Sequence, residues 1–68
     1  MSTITEQVGQ LIRETRKAKG LTQQELGEKL GVGKTTINKY ENGSHNITIE
    51  TLNRIMEALG EKIMIIKV

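Results

Sequence analysis

Gly31-Val32-Gly33-Lys34-Thr35 is the stretch whose residue types come nearest to a chemical apparatus, since a phosphate-cradling nucleotide loop ends in glycine, lysine and threonine. Such a loop also requires glycine at position 28, where this sequence has Glu28. A helical pattern precedes it, where the loop needs a strand. The chain has one histidine, no cysteine and no aspartate, and no set of nucleophile, base and orienting group, nor any metal cluster, suggests itself in its spacing. The expectation is a protein that is not an enzyme and has no metal site and no cofactor.

What remains is hydrogen bonding and charge. A formal charge of +2 and a pI near 9.2 permit an anionic partner without identifying one. Tyr40 is the single aromatic, too few for the stacking platforms that carry most RNA and single-strand recognition, so among nucleic acids duplex DNA is favoured. Absence of cysteine fits a reducing cytoplasm. The polar opening does not read as a signal peptide, and the longest apolar run, 63–66, is far too short to span a bilayer. A chain of 68 residues has room for one domain, which buries only roughly 60% of its unfolded surface. With no disulfide or zinc to supplement it, oligomerisation is the expected staple.

Four helices must position these groups. Thr3 and Glu6 have capping-box spacing, and Val8, Leu11, Ile12, Thr15 and Ala18 then recur at helical intervals up to Gly20. Thr22 and Glu25 repeat the box, with Leu21 placed to staple onto Leu26, and the segment ends at Gly31. Only Gly31, Val32 and Gly33 separate it from a third helix over 34–42, with Ile37 and Tyr40 inward and Gly43 as terminator. Two short helices joined by so brief a glycine-containing turn make a helix-turn-helix. A fourth helix starts at Thr48, turns Leu52, Ile55, Met56 and Leu59 inward, and ends at Gly60. The isoleucine- and valine-rich tail, 61–68, reads as a strand.

The segment LTQQELGEKLGVGKTTINKYENG resembles the helix-turn-helix of phage Cro and repressor proteins and of the xenobiotic-response-element regulators. The likeness takes in Arg16-Lys17-Ala18-Lys19-Gly20 upstream and 49–60 downstream, most of the chain. It implies a helical bundle whose third helix lies in the DNA major groove while the second crosses above it. Lys34, Thr35 and Lys39 occupy the positions that read bases in that family. Their chemistry suits the task, because lysine donates to guanine O6 or N7 and threonine bonds a base edge or meets a thymine methyl. A solvated helix face is the plainer alternative.

By the same resemblance Thr22, Gln23, Thr36, Asn38, Asn42, Ser44 and His45 lie along the DNA backbone, with Gln23 at a helix N-terminus suited to phosphate. Asn42, beside Gly43, serves equally well to close its helix, and His45 equally well as a solvated loop residue. Arg16 and Glu41 match a structural ion pair between the first and third helices. Two residues depart from the family pattern. Gly27 replaces a small alanine and should weaken the second helix by roughly 1 kcal/mol. Gly33 replaces a serine or threonine and caps the third helix without a side chain.

The expected architecture is therefore all-α, a compact bundle of four short helices forming a DNA-binding domain over 1–60, with a C-terminal strand over 61–68 pairing across a homodimer. Strand periodicity puts Ile63, Ile65 and Lys67 on one face and Met64, Ile66 and Val68 on the other, leaving both largely apolar. A second copy paired antiparallel would bury Ile63, Met64, Ile65, Ile66 and Val68; otherwise the tail covers the helices or frays. Such a dimer calls for a pseudo-palindromic double-stranded operator. The functional reading is a sequence-specific transcriptional regulator, a repressor by type. The alternative is an antitoxin that neutralises a toxin protein and represses its own operon, since the ending EALGEKIMIIKV resembles the tail of such proteins.

Overall fold

Thr3, Thr22 and Thr48 stand immediately before three of the helices of the computed structural model, which describes residues 3–68. Helix α1 spans Ile4–Ala18, α2 Gln23–Leu30, α3 Lys34–Glu41 and α4 Ile49–Ala58. Capping boxes open α1 and α2. Thr3 N donates to Glu6 Oε1 at 2.9 Å and Glu6 N to Thr3 Oγ1 at 3.1 Å; Thr22 and Glu25 repeat this at 2.9 and 3.0 Å. These bonds, the backbone N–H of each threonine foremost, hold both carboxyls below the ordinary carboxylate value of 4.5. Thr48 Oγ1 accepts from Thr51 N at 3.1 Å, whereas Gly33 caps α3 with no side-chain bond. A left-handed glycine follows each helix, at positions 20, 31, 43 and 60.

The core takes one fully buried apolar side chain from each helix: Ile12, Leu26, Ile37 and Ile55. Met56 and Leu59 complete it. Burying each of the first four stabilises the fold by roughly 1.5–3 kcal/mol, and together they hold α3 against α1 and α2, and α4 against α2. Leu11 and Ala18, which the helical spacing directs inward, lie exposed. The inward face of α1 instead follows Val8, Gly9, Ile12 and Arg16, so a buried glycine and a buried arginine take places that an apolar count misses.

Gly9 lies where α1 crosses the end of α3. A Cβ there would stand 2.6 Å from the carbonyl oxygens of both Tyr40 and Glu41. Both obstacles are backbone, so any side chain would force the helices apart, at about 1–3 kcal/mol.

The expected strand over 61–68 is not formed in the single chain. Among the described residues there is no β-strand. Extended backbone needs a ladder partner for its N–H and C=O groups, and no other segment of the described chain offers one. The tail is tethered at its root, where Glu61 N donates to Met56 O at 2.8 Å and Lys19 Nζ lies 3.2 Å from Glu61 Oε1. Ile63 packs half-buried on the core, and Met64, Ile65, Ile66 and Val68 are exposed. No helix among the described residues is long and apolar enough to cross a membrane, and no cluster of side chains among them could hold a metal ion.

Candidate nucleic-acid interface

The turn between α2 and α3 depends on two glycines. Gly31 ends α2 with φ 72°, a left-handed conformation open to it at little cost, and Val32 N then donates back to Gly27 O at 2.9 Å. Gly27 is buried, and a Cβ on it would stand 2.6 Å from Val32 O. The residue expected only to weaken α2 is thus the one that lets the turn close against it. An alanine here would gain helix propensity and collide with backbone.

α3 turns Ile37 and Glu41 into the protein and leaves Tyr40 and Thr36 half-buried. At about 100° of rotation per residue, Lys34, Asn38, Asn42, Thr35 and Lys39 then follow one another around its outer side. All five are exposed. Lys34 also borders an open cleft of about 400 Å3 lined by Arg16, Gly20, Leu21, Thr22, Gln23 and Gln24 at the start of α2. The backbone N–H groups of Gln23 and Gln24 lie in the first turn of α2, where a helix has no carbonyl of its own to offer them. Free N–H groups, a helix N-terminus and a lysine together form an anion-receiving surface.

Beneath that surface is a buried ion pair. Arg16 Nε donates to Glu41 Oε2 at 2.6 Å and Nη2 to Oε1 at 3.0 Å, while Nη1 donates to Leu21 O at 2.8 Å. The two side chains are only 9% and 3% exposed. The hydrogen bond that Arg16 donates to Glu41 raises the Arg16 pKa against the opposing pull of burial. This fork ties α1 to α3 and to the loop entering α2, and so fixes the tilt of the outer face of α3 relative to the start of α2.

The remaining site residues divide between the outer surface and internal bonds. Thr22 Oγ1 is committed to the α2 cap. Gln23 Nε2 turns inward, donating to Glu41 Oε1 at 3.1 Å and to Asn38 Oδ1 at 3.4 Å. Asn42 closes α3, its Oδ1 accepting from Ser44 N at 2.9 Å, and Ser44 Oγ donates to Lys39 O at 3.3 Å. The exposed His45 ring meets Tyr40 edge-on at a centroid distance of 5.8 Å. Sequence spacing missed Gly9 and the inward turn of Gln23. A glycine in the middle of an otherwise good helix was the available signal for the first; nothing local signalled the second.

A helix-turn-helix family model, HTH_3, matches residues 12–66. Among curated proteins the chain is 46% identical over 52 residues to an HTH-type transcriptional regulator of Methanothermobacter thermautotrophicus, covering 76% of this chain and 75% of that one. It is 34% identical over 53 residues to antitoxin HipB of Escherichia coli K12, covering 78% of this chain and 60% of the antitoxin. Among solved structures, the clp gene regulator ClgR of C. glutamicum superposes with a TM-score of 0.87 at 29% identity, over 91% of this chain and 80% of that one. A point mutant of the restriction-modification controller protein C.Esp1396I superposes at 0.82 with 34% identity, over 90% of this chain and 81% of that one.

Proposed function

Because this chain belongs to the helix-turn-helix family, we propose that it is a transcriptional regulator that binds a specific duplex DNA site by inserting α3 into the major groove. The observation that carries this reading is the continuous outer face of Lys34, Thr35, Asn38 and Lys39 beside the open start of α2, both held in place by the Arg16–Glu41 pair. Lys34, Thr35 and Lys39 read base edges. The first-turn N–H groups of α2, that of Gln23 among them, with Thr22, Thr36, Asn38, Asn42, Ser44 and His45 around them, follow the sugar-phosphate backbone and set register. Residues 1–60 form the DNA-binding unit, working in the cytoplasm.

The tail, 61–68, supports a homodimer. Exposed Met64, Ile65, Ile66 and Val68 leave an apolar segment with an unpaired backbone, which the same segment of a second copy satisfies by antiparallel pairing. The dimer presents two α3 helices to half-sites about 34 Å apart on a pseudo-palindromic operator. A second reading, that the chain is an antitoxin that also binds a toxin protein, is favoured by its likeness to HipB.

Selection of bound duplexes from a random pool tests the main reading. It should converge on a pseudo-palindrome, with an affinity that falls steeply as salt rises because phosphate contacts release counterions. A pool that stays random, or binding indifferent to salt, would contradict it.

A further inference from the structure

We propose that Gln23 acts on DNA at one remove: it is a positioning residue that holds the Asn38 side-chain amide with its N–H groups outward, making Asn38 a dedicated hydrogen-bond donor. This rests on the DNA-binding reading above and concerns how that same surface is organised. Both oxygens of the buried Glu41 can only accept, and Oε1 already takes Arg16 Nη2 at 3.0 Å.

A neighbouring amide must therefore present nitrogen to it. Gln23 does so, with Nε2 at 3.1 Å from Glu41 Oε1. Turning that amide over would set its oxygen against a carboxylate oxygen, two acceptors face to face in a half-buried place. The orientation of Gln23 thus follows from the ion pair, and its second N–H reaches Asn38 Oδ1 at 3.4 Å. Polarity passes along in sequence, from carboxylate to Gln23 nitrogen to Asn38 oxygen.

At the end of that line Asn38 has its oxygen turned toward Gln23 and its Nδ2 with no partner among the described residues. It lies on the outer face of α3 between Lys34 and Thr35 in rotation, so its free N–H groups meet whatever that face meets. The chemistry it recognises is an acceptor, either a phosphate oxygen or a base acceptor such as guanine O6 or N7. Gln23 itself has spent both N–H groups on protein and offers a phosphate only its backbone N–H.

A double-mutant cycle tests this on the duplex selected from the random pool. Asn38→Ala should weaken binding roughly tenfold, the loss of one donor to a charged or base acceptor. Gln23→Ala should weaken it by a comparable or smaller factor, and the double variant should bind no worse than Asn38→Ala, because Gln23 acts only through Asn38. Asn38→Asp keeps an oxygen for Gln23 but exchanges donors for a negative charge, so it should bind worse than Asn38→Ala. Asn38 is exposed and Gln23 half-buried, so melting temperatures close to the parent's are expected, and measuring them separates a binding loss from a folding one. A loss equal across all sequences identifies the acceptor as phosphate; a loss confined to one base position identifies it as a base. If the two single losses multiply in the double variant, Gln23 contacts DNA on its own; if Asn38→Asp binds like the parent, Asn38 supplies DNA no donor; with either result the proposal fails while the DNA-binding reading stands. A parent protein that selects no duplex would overturn both.

Discussion

Glu41→Ala should destabilise the protein by about 3–5 kcal/mol, because it leaves the Arg16 guanidinium buried with, among the described residues, only the Leu21 carbonyl to accept from it. In a domain this small each kcal/mol moves the midpoint of thermal unfolding by roughly 4–8 °C, so the melting temperature should fall by more than about 10 °C. The loss comes from the stranded charge and not from a large intrinsic value of the pair. The double substitution Arg16→Met, Glu41→Leu, which fills similar volume without charge, should therefore recover much of it. Thermal melts by circular dichroism of the parent, the single and the double variant check this. A single variant within about 1 kcal/mol of the parent would mean that the pair behaves as an exposed one.

Removing residues 61–68 should convert a dimer into a monomer in sedimentation and weaken binding to the full operator by about 100- to 10,000-fold, while a single half-site is bound as before. The factor is that of linkage: once one half of a dimer has docked, the other binds at a high effective concentration, and a monomer forfeits that gain. The truncated chain also loses the packing of Ile63 on the core and should melt lower. The ion pair of Lys19 with Glu61 is half-exposed and adds little to that difference. A truncated protein that stays dimeric and keeps full operator affinity would show that the tail is not the interface.

The four helices are legible in the sequence because their ends are set by local chemistry. Thr22 with Glu25, or Gly31 after Leu30, acts within one turn of chain, and apolar spacing then tells which side faces the core. The Arg16–Glu41 spacing could be recognised only through likeness to other sequences, since 25 residues separate the partners. Gly9 escaped because periodicity counts side chains, and its contribution is to have none. Gln23 was legible as a polar residue at a helix start but not in its direction, which a carboxylate 18 positions away determines. The tail shows the complementary case. Its strand propensity is local, but a strand exists only with a partner, and the described residues of a single chain offer none.

Whether α3 distinguishes bases is measured most directly by the affinity of Lys34→Ala, Thr35→Ala and Lys39→Ala for the selected duplex and for each of its single base-pair substitutions. Each variant should lose affinity for the selected site and also lose roughly 1–3 kcal/mol of discrimination at one base position, where the substituted duplexes then bind almost as well as the original. Positions read by the other two residues should keep their preference. Removing either lysine should lower the salt slope by about one only where it also touches phosphate. Were all three variants to weaken every duplex by the same factor, with no base position relaxed, the outer face of α3 would be gripping the backbone alone and not distinguishing bases.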